Sequence, residues 1–218
     1  MNKNYVNEKG KVNCENEGNI EKENFKKYLK NIEDEITILN SSLKLYEYLN
    51  KSLKEHKKAM EQSPFFYNIV FKALLSYFFI GISKLYENYE RNRSDFDLKR
   101  LINYIEVNQE KIFNKKIQSG VYERQRGYIK DKENIIKKIL GWRDKYLTHN
   151  TKKIIEGREL ISEKYPVNKQ DLIELIDVAE KIINEYCELD GMEKPIYEII
   201  NYEDIENTFY IVEKNLNK

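Results

Sequence analysis

The chain has 218 residues, enough to bury a substantial core and close to the upper end of a single ordinary domain. Its 38 basic and 37 acidic residues leave a net charge of +1, which argues against coating nucleic acid or an anionic membrane through bulk charge but permits a local basic patch. Cys14 and Cys187 stand far apart with no CxxC spacing, so they read as reduced thiols of a cytoplasmic protein rather than a disulfide framework or a thiolate metal site.

In chain order, residues 1–18 show no apolar periodicity and are expected to form a flexible N-terminal segment. Residues 1–24 are polar and lack the apolar centre of a signal peptide. Between 19 and 62, Ile32, Ile36, Leu39, Leu43, Tyr46, Leu49 and Leu53 recur at steps of three and four, the stripe of one long amphipathic helix. Ser63-Pro64 stops it, and the proline is tolerated in the first turn of the next helix. That second helix, from Phe65 to about Arg91, is apolar on most of its circumference, with Phe65, Ile69, Val70, Phe71, Leu74, Leu75, Phe78, Phe79, Ile82 and Leu85. A helix of this kind belongs in the middle of a bundle. Its longest apolar stretch, 73–82, contains Ser76 and Gly81 and is about half the length that spans a bilayer, so no membrane association is expected.

Ser94 reads as the N-cap of a shorter helix carrying Leu98, Leu101, Ile102 and Ile105. A polar connection over 109–120 leads to a fourth helix with Tyr128, Ile135, Ile136, Ile139, Trp142 and Tyr146, ending near Thr148. After an irregular stretch with Gly157 and Pro166, Asn168 caps a fifth helix that Gly191 ends. A short strand or docking segment from Ile196 and a last amphipathic helix with Ile205, Phe209, Val212 and Leu216 complete the chain. The fold class is all-α. The expected organisation is a helical bundle over 19–190 with long antiparallel core helices, a flexible segment 1–18, and a C-terminal tail 191–218 with a short helix.

Histidine is scarce: only His56 and His149 occur. His56 lies among Lys54, Glu55, Lys57 and Lys58 and reads as an exposed residue without a role. His149 ends a run in which a greasy helix, directly after Trp142, presents Arg143, Asp144, Thr148, His149 and Asn150. The spacing alone is common, since seven arginines and two histidines produce such a pair by chance in about one sequence in five. Its position at the end of a core helix is what singles it out, because burying Arg and His without partners is costly. Six steps along a helix leave Arg143 and His149 about 120° apart. Either His149 lies past the helix end or the two residues meet through a second copy of the chain.

The pair suits RNA strand cleavage. An imidazole titrates near neutrality and can take a proton from a ribose 2′-hydroxyl or return one to the leaving oxygen. A guanidinium keeps its charge, and its planar fork matches the oxygens of a phosphorane. Asp144 could orient either group, and Lys145, Lys152 and Lys153 are candidates to hold flanking phosphates. The chemistry needs no metal, and two distant histidines without an acidic cluster make no metal site.

The run Arg143-Asp144-Lys145-Tyr146-Leu147-Thr148-His149 resembles the R-x(4–6)-H signature of the HEPN superfamily. The segment Phe79-Ile80-Gly81-Ile82-Ser83-Lys84-Leu85-Tyr86-Glu87, followed by 94–105, is similar to the stretch before that motif in AbiU-type abortive-infection proteins. The resemblance implies an all-α HEPN-like bundle, a homodimer in which two motifs face each other, and a cofactor-free, metal-independent endoribonuclease used against phage or as a toxin with a cognate antitoxin. It implies Arg143 as the phosphate-stabilising group, His149 as the general acid/base, Asp144 as the supporting polar residue and Glu87 as a further polar member from an earlier helix. Position 151 is Thr rather than the Tyr found two places after the histidine in toxins silenced by nucleotidylation, which argues against that form of control. The competing expectation is a non-catalytic HEPN-like interaction or nucleotide-sensing module with Arg143 paired structurally to an acid. A DNA-binding regulator is disfavoured because no helix-turn-helix with a basic second helix is present.

Overall fold

The computed structural model describes residues 8–87, 97–147, 161–198 and 201–216, and among these every regular element is helical. The helices are α1 (Glu8–Glu55), α2 (Lys57–Met60), α3 (Pro64–Tyr86), α4 (Leu98–Phe113), α5 (Ser119–Asp131), α6 (Glu133–Trp142), α7 (Ile161–Lys164), α8 (Lys169–Asp190) and α9 (Glu203–Leu216). A π-helical turn, Arg143–Leu147, continues α6.

The stripe expected on α1 forms the floor of the bundle. Ile32, Ile36, Leu39, Leu43 and Leu49 of that stripe are buried, Phe25 and Leu29 extend it toward the N-terminus, and α1 packs against α3, α4 and α8. Leu53, at the end of the expected stripe, is 45% exposed. The helix begins at Glu8, inside the segment expected to be flexible, so the lack of apolar periodicity before residue 19 does not prevent helix there. Another deeply buried partner of α1 is α8, whose Leu175, Ile176, Ala179, Ile182, Ile183 and Tyr186 are at most 2% exposed. Its ends follow the expected signals. Asn168 and Asp171 form a capping box, and Gly191 closes the helix at φ 72°. Cys187 sits in this core with a free thiol, and burial together with Glu33 pushes its pKa up to about 11.

Three expectations need correction. The helix expected at the centre, α3, is buried only over its C-terminal part, from Phe78 onward. Phe65 (76% exposed), Phe66 and Ile69 near its start face outward, because α6 and α8 cover only one end of this helix. By length and composition α3 could cross a membrane, with 17% of its most apolar window buried in the fold. Second, the polar connection begins later than its composition suggests: α4 runs through Phe113 and closes on Asn114 at φ 53°. The residues that follow form a separate helix, α5, which turns only Tyr122, Gln125 and Ile129 inward. Third, the α4 cap is Asp97, whose carboxylate accepts from the Arg100 N–H at 2.9 Å, while Ser94 lies outside the described residues.

His56 is not an idle surface residue. It interrupts the α1–α2 junction, stacks on Phe209 of α9 (4.6 Å between centroids, 12° between planes), and places Nδ1 3.3 Å from Glu213. Phe209, Leu49, Ala59 and Met60 form a second small core there, separate from the main one. Of the two forms expected from Ile196, a strand is not seen among the described residues, while Tyr197 docks into the main core and donates its hydroxyl to Asn184 Oδ1 at 3.2 Å.

The capping role of Asp97 is testable through its charge. Burial raises its carboxyl pKa despite opposing contributions from the Arg100 and Lys99 backbone N–H groups and side-chain charges. A folded-state pKa above the unfolded value means that stability from this group is present at low pH and lost as pH rises through the folded pKa. Asp97→Asn, which keeps the cap without the charge, is therefore expected to match or exceed the parent at pH 7 and to lose that advantage in acid. Asp97→Ala is expected to cost about 1 kcal/mol. Urea unfolding at two pH values reads both.

Candidate functional site

The site forms where α3 ends beside the end of α6. The last turns of α3 carry Phe79, Ile82, Leu85 and Tyr86 into the main core. The chain leaves the helix at Glu87, whose backbone is extended (φ −62°, ψ 138°). Tyr86 donates its hydroxyl to the Leu175 carbonyl of α8, and full burial drives its pKa well above the ordinary value, so it remains a neutral donor. On the other side, Trp142 closes α6 by stacking on Phe79, with centroids 4.8 Å apart and planes 8° apart. This aromatic pair sets the spacing between the two helix ends.

Gly141 explains how the returning chain reaches this joint. A Cβ there would come within 2.5–2.8 Å of the Tyr165 ring, so only glycine lets that ring lie against α6. Trp142 Nε1–H donates to the Tyr165 carbonyl at 2.6 Å. A glycine inside an otherwise regular helix costs about 1 kcal/mol against alanine. That cost is the signal by which the sequence could reveal the contact.

Arg143 follows directly and is 8% exposed. Its Nε and Nη2 donate to Asp144 Oδ1 at 3.0 and 2.8 Å. Its Nη1 stands 2.9 Å from Glu87 Oε1, an ion contact whose angle falls short of an aligned hydrogen bond. A buried guanidinium left unpaired is strongly unfavourable, and two carboxylates offset its desolvation while holding the fork in one plane. The π turn begins at Arg143 itself. Such turns widen the helix by one residue and are frequent where a side chain is re-aimed at a functional site.

Three of the expected site residues, Arg143, Asp144 and Glu87, are thus brought together. Lys145 is on the same turn but faces solvent. His149, Lys152 and Lys153 lie outside the described residues. Among the described residues no group of three or more His, Cys, Asp or Glu is placed to hold a metal ion.

Removing the carboxylate of Glu87 is expected to cost about 1–3 kcal/mol, since Arg143 then loses one buried partner. Glu87→Gln should cost less than Glu87→Leu. The protein's single tryptophan, Trp142, reports the joint directly, so denaturant unfolding followed by its fluorescence checks the order.

No curated protein and no solved structure matches the chain at a significant level. A family model does: AbiU2, a HEPN family, matches residues 22–191. The match covers α1 from its first buried turn to the glycine that closes α8, including the joint of Glu87 with Arg143. The chain belongs to the AbiU2 family of HEPN proteins.

Proposed function

We propose that the protein is an endoribonuclease of abortive infection that cleaves RNA without a metal ion, with Arg143 stabilising the phosphorane and His149 moving the proton. The observation that carries this reading is a buried guanidinium fixed by Glu87 and Asp144 at a π turn. Held on two edges, the fork is pre-oriented, and such groups stabilise developing charge without reorganising during reaction. An incoming phosphoryl oxygen competes with the carboxylates for N–H donors of Arg143. In the sequence His149 follows the π turn closely, at the distance the family motif requires. Asp144 and Glu87 serve as positioning residues, and Lys145, Lys152 and Lys153 hold flanking phosphates. The site of action is the cytoplasm.

The reading includes a two-fold dimer. Its support is the exposed apolar face of α3, formed by Phe65, Phe66, Ile69 and Ile80 with the small residues Ala73 and Ser76 between them. A second copy laid antiparallel across Ala73 would set the bulky start of one helix against Ile80 of the other. The same helix carries Ile80 of this face and ends at Glu87 of the site.

A second reading, a non-catalytic interaction module, is favoured by the two carboxylates already on Arg143, which are what a structural ion pair needs.

Purified protein incubated with labelled RNA in EDTA is expected to leave ends with a 2′,3′-cyclic phosphate, while Arg143→Ala and His149→Ala give none. Intact RNA with the folded wild type would favour the second reading. Sedimentation is expected to show a dimer that Ile69→Glu converts to a monomer without cleavage activity. A monomeric wild type, or one that requires lipid vesicles to bury α3, would remove the composite site.

A further inference from the structure

A cleft of about 440 Å³ opens between α4, α5 and α6, beside the end of α3. Its floor is apolar, made of Tyr86, Ile129, Ile136 and Leu140. Its rim carries Lys99, Arg126, Lys130 and Lys137 with Glu133, and Glu106 pairs with Arg126 from just outside the lining. In a chain of net charge +1, four cations around one depression are a marked local concentration. The volume lies within the range of pockets that take small organic groups.

The cations are held in different ways. Arg126 is fixed in place by Asn103, whose Oδ1 accepts from Nη2 at 2.8 Å, and by an ion pair with Glu106. Lys137 pairs with Glu133 at 3.1 Å. Lys99 and Lys130 make no ion pair among the described residues, although Lys99 is attracted by the carboxylate of Asp97. An oriented guanidinium beside two uncommitted ammonium groups suits phosphate, and the apolar floor suits the face of a base.

The cleft is also aligned with the site. Ile136 and Leu140 lie on α6, and Arg143, the αR residue that opens the π turn, follows at i+7, so the three lie on one side of this helix end. Seven residues correspond to about 10 Å of rise. Tyr86 of the floor directly precedes Glu87. A strand lying in the cleft would therefore be led along α6 toward Arg143.

We propose that this cleft binds a nucleotide of single-stranded RNA next to the reacting phosphodiester, its phosphate on Lys99, Arg126 and Lys130 and its base on the apolar floor. The proposal rests on the ribonuclease reading of Arg143. It supplies the basic track that the overall charge balance does not.

The test is fluorescence anisotropy with a labelled RNA of about twelve nucleotides, fully 2′-O-methylated, so that the attacking hydroxyl is absent. The full-length parent is compared with Lys99→Glu/Lys130→Glu and with a charge-matched control, Lys54→Glu/Lys58→Glu, at the junction of α1 and α2. Circular dichroism confirms that each variant is folded. The cleft variant is expected to bind at least about tenfold more weakly. Its log–log salt slope should fall by about 1.4, or about 0.7 for each phosphate of a single strand that is no longer neutralised. Equal weakening in the control, no binding by the parent, or adenosine monophosphate binding as tightly as the oligonucleotide would each overturn it, the last by making the cleft a free-nucleotide site. Because this RNA cannot be cut, the two readings separate. Cleft-dependent binding without cleavage of ordinary RNA would sink only the role of Arg143, and cleavage with cleft-independent binding would sink only the cleft.

Discussion

The burial of one guanidinium governs the geometry of this end of the molecule. Arg143 leaves water with Glu87 reaching it from a different helix and Asp144 from the next residue. For Glu87 to arrive, α3 must end beside Trp142, and the Phe79–Trp142 stack fixes that approach. For α6 to carry Trp142 there, Tyr165 must close over Gly141. The charged trio and the apolar joint are thus mutually dependent. The ion contacts alone are too costly to form in isolation, and the aromatic stack alone would not choose an arginine.

That dependence explains which parts are legible in the sequence. The buried stripe of α1 and both ends of α8 can be read directly, because periodicity and caps are local signals. The helix α5 cannot, since its inward face is only Tyr122, Gln125 and Ile129, and Gln125 is buried through bonds to Glu185 and Tyr186 that no local pattern announces. The position of α3 escapes the sequence for a related reason. An apolar circumference says that a helix dislikes water, but not which neighbours are long enough to cover it. His56 looks idle among charges because its partner Phe209 is distant in sequence.

Within the site, Arg143 and Asp144 are legible because polar groups at the end of a greasy helix stand out, whereas Glu87 enters only through the family resemblance. The cations of the cleft are not. Lys99, Arg126, Lys130 and Lys137 come from three helices, each with an ordinary solvated face, and only the fold gathers them. The conformational cost of a π turn, like the glycine before it, is a local irregularity in an otherwise regular rod. Both fall within three residues of Arg143, where the regular structure gives way to the arrangement the side chain requires.

The 48 residues of α1 carry a further consequence. At 1.5 Å per residue the rod is about 72 Å long, well beyond any other helix of the fold. Its middle supports the main core, while Leu45, Tyr48 and Leu49 near its end belong to the small cluster around Phe209. The two clusters lie at different stations along one backbone ladder and are bridged by Leu74, which packs against both. Detachment of α9 would uncover the small cluster around Phe209, while the stripe from Phe25 to Leu43 keeps its packing on α3, α4 and α8, so the far end of α1 can loosen before the bundle melts.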